Sequence, residues 1–372
     1  MYFIYILLNI FLYFLCLIAL PFLSLKSKYN KFYLKLFPLK LAKKADIHFH
    51  YASFGEINAL SPLIKELKKQ GYTVLLTCAS KTGYEAGKKI DDNCFFLPFE
   101  ILLFFWLKKA KKLVVFEAEL WLILSRIYKN SCILLNARIS KKSFRKYYRF
   151  KFLYEKIFEN YTMIYAQSNS DARRLKKLGA KNISVFTNIK IINPIKLKEK
   201  LKKNKELIII ASTHKGEEEI ILNKLDKGFL KNKALIIAPR HPERFKQVYE
   251  LIKDYAKKNN LSFSSFSVNK EAYLEKDIFL LDVLGKLVDF YAISDYVILG
   301  GSYIDNIGGH NFYEAAYFNN KIISGNYIFN QIQMLKYIKN IKISDDIDFS
   351  DVKNAFIKSD FTFVDLVNIV KG

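Results

Sequence analysis

At 372 residues the chain is longer than one hydrophobic core usually serves, so two domains of ordinary size are expected. Half of it is apolar and 16% is aromatic, which excludes a disordered chain. A formal charge of +25 calls for an anionic partner, and nucleic acid, anionic lipid or a phosphorylated substrate would each satisfy it.

From Met1 to Leu25 the sequence is almost wholly apolar and uncharged, long enough to cross a bilayer as a helix. Its charge follows, at Lys26, Lys28, Lys31, Lys35 and Lys40, whereas a cleaved signal peptide would carry charge in front. The segment therefore reads as a membrane anchor, with the body held on the cytoplasmic side. A helix lying in the plane of the interface is the alternative. Cys16, Cys78, Cys94 and Cys132 lie far apart, without zinc-site spacing or the density of a disulfide scaffold, and fit a reduced, cytosolic setting.

After Ala45, short β-branched or aromatic runs alternate with amphipathic helical stretches, as in parallel βαβ units. The expected strands are 47–51, 72–78, 94–97, 113–116, 132–135, 163–166 and 183–186. A Lys-rich stretch with Pro194, from about Ile191 to Lys205, interrupts the alternation and reads as an interdomain connection. It then restarts with strands at 207–211, 234–238, 278–281, 296–299 and 321–324, and a last amphipathic helix is expected near 361–371. The division is an anchor over 1–25, one α/β domain over 26–195 and a second over 196–372. Open α/β sheets bind ligands beyond the carboxyl ends of their strands.

The residues that stand there carry the candidate chemistry. His50-Tyr51-Ala52-Ser53-Phe54-Gly55-Glu56 runs from a strand through a turn into a helix starting near Glu56, a carboxylate placed to act as a base or merely to cap the helix. Glu117-Ala118-Glu119-Leu120-Trp121 and Asn136-Ala137-Arg138-Ile139-Ser140 close two further strands. In the second half, Ser212-Thr213-His214-Lys215-Gly216 precedes Glu217, Glu218 and Glu219 at a helix start, where backbone N–H groups can meet a phosphate or the acids simply answer the helix dipole. Pro239-Arg240-His241-Pro242-Glu243-Arg244-Phe245 offers Arg240 for a bidentate phosphate contact. Gly308-Gly309-His310-Asn311-Phe312-Tyr313-Glu314 offers Glu314 to ribose hydroxyls. His50, His214, His241 and His310 all follow strands or sit in glycine-rich turns, with His48 the exception. No metal-ligand spacing accompanies them, so neither metal nor cofactor is expected. GxxxxGK[ST] and GxGxxG are absent, which counts against an NTPase or a dehydrogenase.

In order, HxxSxGE, ExELW, NARxS, QSxxDxxRLxxLGA, ASTHxGEE, PRHPERF and GGHNxxEAA resemble the Kdo (3-deoxy-D-manno-octulosonic acid) transferase family over nearly the whole chain, to about Asn330. The resemblance implies an inverting transferase of the GT-B fold, two Rossmann-like domains facing a central cleft. CMP-Kdo would be the donor, and a hydroxyl of a lipid A precursor (lipid IVA) in lipopolysaccharide core biosynthesis the acceptor. It makes Glu56 the general base and gives Glu117 and Lys190 the stabilisation of the transition state. CMP contacts carry over to Pro239 and Arg240, to Leu284, Gly285 and Lys286, and to Asn311, Phe312, Tyr313 and Glu314. The chain departs from the family pattern at Lys286, where a carboxylate is usual, at Leu122, usually Pro, and at Thr187, usually Gly. The body is then expected on the cytoplasmic face of the inner membrane, among its lipids.

Another membrane-bound GT-B enzyme using a UDP-sugar is the nearest rival, although it would not be expected to keep HxxSxGE and PRHPERF. A basic scaffold binding membrane or nucleic acid is the rival from a different class. No nucleic-acid-binding motif supports it, and no nucleic acid partner is expected.

Overall fold

The computed structural model describes residues 2–24, 33–332 and 334–372; Lys26, Lys28 and Lys31 of the expected charge cluster lie outside them. The chain divides into two compact units, one of residues 1–194 with 360–372 and the other of residues 195–359.

The first unit is built on a seven-stranded parallel sheet: β1 (Ile47–Tyr51), β2 (Val74–Cys78), β3 (Cys94–Phe96), β4 (Lys112–Phe116), β5 (Cys132–Ala137), β6 (Tyr161–Ala166) and β7 (Ile183–Val185). The order across it is β3-β2-β1-β4-β5-β6-β7. This is the Rossmann order, and it reverses direction between β1 and β4, the switch point where such sheets bind ligands. Both faces are covered, which is why the strands read as nearly unbroken apolar runs. Val114 and Phe116 pack in one layer, Leu113 and Val115 in the other. The helix Phe54–Lys69 follows β1, and its buried Ile57, Leu60, Ile64 and Leu67 recur at helical spacing against the sheet.

The second unit repeats the plan: β8 (Glu206–Thr213), β9 (Lys233–Pro239), β10 (Phe263–Ser265), β11 (Ile278–Leu280), β12 (Tyr296–Leu299), β13 (Lys321–Ser324) and, after the short β14 (Ile338–Lys339), β15 (Ile341–Ile343). Its parallel sheet runs β10-β11-β9-β8-β12-β13-β15, so its switch point falls between β8 and β12. β14 pairs antiparallel with β16 (Phe356–Ile357). The expected GT-B class is met in these two parallel α/β units and in the apolar N-terminal helix, Tyr2–Ser24.

Strands β10 and β15 were not expected, since runs of three residues carrying serine or lysine give no period. Residues 360–372, assigned from sequence to the second domain, instead pack on the first. The terminal helix, Phe363–Lys371, starts at a Thr362 capping box. It buries Leu366, Val367 and Val370 in the same layer as Phe49 and Leu76 of the first sheet. Phe361 meets Phe186 at a ring separation of 4.3 Å. Sequence order suggested the other assignment because nothing local reveals which core an apolar stripe will cover.

Both tryptophans, Trp106 and Trp121, belong to the first unit, so their fluorescence reports its unfolding. Leu366→Ala should destabilise that unit by about 2 to 5 kcal/mol, seen as a lower urea midpoint of tryptophan emission. An unchanged midpoint would detach the terminal helix from this core.

Candidate active site

At the carboxyl end of β1, Ser53 caps the helix Phe54–Lys69, its Oγ accepting from Glu56 N at 3.4 Å. Glu56 reaches back, Oε2 accepting from Ala52 N at 2.7 Å and Oε1 from Ser53 Oγ at 3.3 Å. The capping reading is therefore correct as local geometry. The carboxyl is nevertheless half-buried, and burial, with Glu117 and Glu119 adding to it against the hydrogen bond from Ala52, pushes its pKa up to about 7. A carboxylate at that value both accepts and releases protons near neutrality, as a general base must.

Glu117 directly follows β4 on the other side of the switch point, with left-handed backbone at φ 56°. Asn136 at the end of β5 has the same φ of 56°. For a glutamate this conformation is uncommon and strained, and such strain gathers at functional sites. Asn136 Nδ2 donates to Glu117 Oε1 at 3.5 Å, while its Oδ1 accepts from Ile189 N at 3.3 Å. That tie fixes the turn Ile189–Ile191, on which Lys190 is exposed. Burial raises the Glu117 pKa, and the charges of Lys190 and then Arg138 oppose the rise. Glu56, Glu117 and Lys190 thus share one rim and one electrostatic field.

Glu119 is the third acid of the rim. Burial pushes its pKa up, but His50 and Trp121 prevail and hold it below the usual value. Trp121 Nε1 donates to Glu119 Oε2 at 3.1 Å, and His50 Nε2 lies 3.6 Å from the same oxygen, an electrostatic contact too long for a formed hydrogen bond. Behind His50 a buried polar chain crosses the sheet. His50 Nδ1 meets Thr77 Oγ1 at 2.9 Å, His48 Nε2 meets the same hydroxyl at 2.7 Å, and His48 Nδ1 meets the Tyr128 hydroxyl at 3.1 Å. His48, set apart from the other histidines in sequence, belongs with His50. Two-residue alternation along Ile-His-Phe-His-Tyr puts both on one face, and that period was the signal.

Other motif residues are braces. Asp171 Oδ1 accepts from Ile139 N at 3.1 Å and pairs with Arg174 at 2.9 Å, which secures the loop after β5. Leu122 is the first residue of the helix Leu122–Ile127, a position at which proline is well tolerated.

In the second unit the rim at β8 and β12 is organised by Glu217. Fully buried, it accepts from His214 N (2.8 Å), Gly301 N (2.7 Å), Ser302 N (3.0 Å) and Tyr303 N (2.9 Å). Glu218 accepts from Thr213 Oγ1 at 2.6 Å and from Arg244 Nη2 at 2.8 Å. These two acids are structural; neither is a simple surface complement to the helix dipole. The two arginines of PRHPERF separate in the same way. Arg244 is bound to Glu218 and to Thr213 O, whereas Arg240 is exposed beyond β9, its guanidinium free of hydrogen bonds and ion pairs to the described residues.

Around Arg240 stand His214, His310 and Glu314. His214 Nε2 and His310 Nε2 are 2.8 Å apart, within hydrogen-bonding distance, with ring planes 6° from parallel. Burial, then His214 and Arg240, lower the His310 pKa to about 4. Asn311 caps the helix Phe312–Tyr317 by accepting from Tyr313 N at 3.0 Å, which presents Glu314 in its first turn. Burial raises the Glu314 pKa and Arg240 opposes it. Phe312 and Tyr313 are buried beneath, and Pro239 is the buried last residue of β9. Arg240 and Asn311–Glu314 are thus brought together, while Leu284, Gly285 and Lys286 lie ahead of the helix Leu287–Tyr291. Gly285 has φ 79°, a left-handed backbone that favours glycine, and the Lys198 amine lies over it. Lys286 is engaged at 2.7 Å by Glu199. It braces the segment entering this unit, a use that a carboxylate at its position could not have.

Residues 28–193 match the family model 3-deoxy-D-manno-octulosonic-acid transferase (kdotransferase). A bifunctional glycosyltransferase/methyltransferase of Fusobacterium nucleatum is 33% identical over 327 residues, covering 80% of this chain and 50% of that protein; the chain spans half the length of this relative. The 3-deoxy-D-manno-octulosonic acid transferase of Aquifex aeolicus is 34% identical over 309 residues, which cover 79% of this chain and 80% of its own. Among solved structures, the C-terminal CMP-Kdo binding domain of WaaA from Acinetobacter baumannii is similar at 30% identity and a TM-score of 0.34, over 38% of this chain and 75% of that one. Matched at this identity along most of both sequences by the Aquifex enzyme, the chain belongs to the 3-deoxy-D-manno-octulosonic acid transferase family.

Proposed function

We propose that the chain is an inverting glycosyltransferase that moves Kdo from CMP-Kdo to a hydroxyl of a lipid A precursor, at the cytoplasmic face of the inner membrane. The observation that carries this reading is Glu56, a half-buried carboxyl at the switch point of the first sheet with a pKa pushed to about 7. In the single displacement the acceptor oxygen forms a bond to the anomeric carbon of Kdo and its proton passes to Glu56. The bond from that carbon to the phosphate oxygen breaks, and CMP departs with the electron pair. An alcohol is far too weak an acid to lose its proton unaided near neutrality, so a base is needed, and Glu56 is the rim acid whose pKa suits the task. Glu117 holds the local backbone through Asn136, and the Lys190 charge offsets the negative charge that grows as CMP leaves. The nucleotide is assigned to the second unit. There Arg240 is unpaired and suited to a bidentate phosphate contact, and Glu314 is suited to ribose hydroxyls.

Purified protein incubated with CMP-Kdo and a lipid A precursor should yield, by mass spectrometry, lipid heavier by Kdo; lipid of unchanged mass would contradict the reading. In that assay Glu56→Gln should lower turnover by roughly 10²-fold or more while CMP affinity stays unchanged. Because only ionised Glu56 accepts the proton, wild-type turnover should fall about tenfold per pH unit below pH ~6 and level off above pH ~8. A profile flat down to pH ~5 would place the base elsewhere.

Arg240→Ala should weaken CMP binding by about 1.5 to 3 kcal/mol, roughly tenfold or more in Kd by calorimetry. Unchanged affinity would remove Arg240 from the nucleotide site.

A further inference from the structure

We propose that the N-terminal helix lies in the plane of one bilayer leaflet and does not cross the membrane. By composition it could do either: Tyr2–Pro21 is long and apolar enough to span. What separates the two is how the helix is docked.

Tyr2, Tyr5, Asn9 and Tyr13 recur at intervals of three or four residues and so share one face. That face is bound to the first unit over the first half of the helix. The Tyr2 ring lies 4.3 Å from the Arg126 guanidinium, and the Tyr5 hydroxyl donates to Glu100. Asn9 is buried, and the Tyr13 hydroxyl donates to Leu36 O at 3.1 Å, its ring 5.7 Å from that of Phe99. Glu100 is itself built into the body, since its other oxygen accepts from Ile123 N at 2.8 Å and Leu124 N at 3.1 Å at a helix start.

A spanning helix whose carboxyl end enters the body would carry Tyr2 and Tyr5 to the far side of the bilayer. Here those residues are the ones held against the body. The eleven steps from Tyr2 to Tyr13 rise about 16 Å, so spanning would draw Glu100 and Arg126 deep into hydrocarbon or tear these contacts apart. Buried charge makes the first outcome costly, and the second forfeits every polar partner of the tyrosine stripe.

The opposite face fits a leaflet. Phe3 (70%), Ile4 (68%), Phe11 (64%) and Ile18 (73%) are exposed from one end of this face to residue 18, with no charge among them. The neighbouring surface continues the pattern. Phe99 N donates to Lys35 O and Trp106 Nε1 to Lys40 O, which joins residues 35–41 to residues 99–106. Leu39 (78%) and Phe105 (86%) project from this surface beside exposed Lys40, Lys108 and Lys109. Apolar side chains ringed by lysines suit hydrocarbon beneath anionic headgroups. The occupant of this face is thus a leaflet containing anionic phospholipid.

The test needs no turnover and stands apart from the transferase reading. In full-length protein carrying Cys16→Ser, the exposed positions Ile4→Cys, Phe11→Cys and Ile18→Cys are labelled singly with a fluorophore and reconstituted into phosphatidylethanolamine–phosphatidylglycerol vesicles. Quenching is compared between lipids spin-labelled near the headgroup and near the chain terminus. An in-plane helix gives the same shallow-to-deep quenching ratio at all three positions. A spanning helix gives a ratio that drops severalfold at position 11 relative to 4 and 18, and that result overturns the proposal. Lack of quenching at all three also overturns it, because the face would then not meet lipid.

Discussion

A parallel strand that stops leaves backbone N–H groups without ladder partners at the carboxyl edge of its sheet, and each must be met by a side chain or by solvent. Both units meet this demand with buried or half-buried acids and amides at their switch points. Glu217 takes four backbone N–H groups and thereby shapes the glycine loop after β12. Glu56 takes Ala52 N, and Asn136 takes Ile189 N. The groups that the fold needs for its own hydrogen bonds are therefore concentrated where a ligand would arrive. The sheet topology fixes which loops meet there.

Within the first unit this concentration has an electrostatic consequence. Glu117 and Glu119 both act on Glu56, and their negative charge adds to burial in disfavouring its ionised form. Glu119, given the Trp121 hydrogen bond and the His50 imidazole, keeps its charge. Glu56, given little beyond its capping contacts, is pushed to about 7. Acids whose surroundings drive their pKa values apart take different roles, one a fixed charge and one a proton acceptor. Lys190, exposed on its short turn, stays available to a substrate charge.

Much of this was legible in the sequence, and the rest was hidden for identifiable reasons. Alternating apolar runs located twelve of the parallel strands because both faces of such sheets are buried, while β10 and β15 were too short to show a period. Glu56, Arg240 and Glu314 could be picked out because each directly follows a strand or opens a helix. Arg240 was chosen over Arg244 by its place just past a strand, while the pairing of Arg244 with Glu218 could be seen only in the fold. His48 was set apart, although the strand period joins it to His50. The terminal helix was legible as a helix but not as part of the first unit, and the N-terminal segment was legible as one long apolar helix but not in its contacts with Leu36, Glu100 and Arg126. In each case the deciding contact lies far away in the chain.

Whether the fold tunes Glu56 into a base near neutral pH is measured directly by a site-resolved titration: the side-chain carboxyl carbon of Glu56, followed by carbon-13 NMR in labelled protein and assigned with Glu56→Gln, is read against pH. The expected midpoint is near 7, shifted downward in Glu119→Gln, where one neighbouring negative charge is gone. A midpoint near the ordinary glutamate value of about 4.3, unmoved by Glu119→Gln, would contradict it and leave Glu56 as a helix cap.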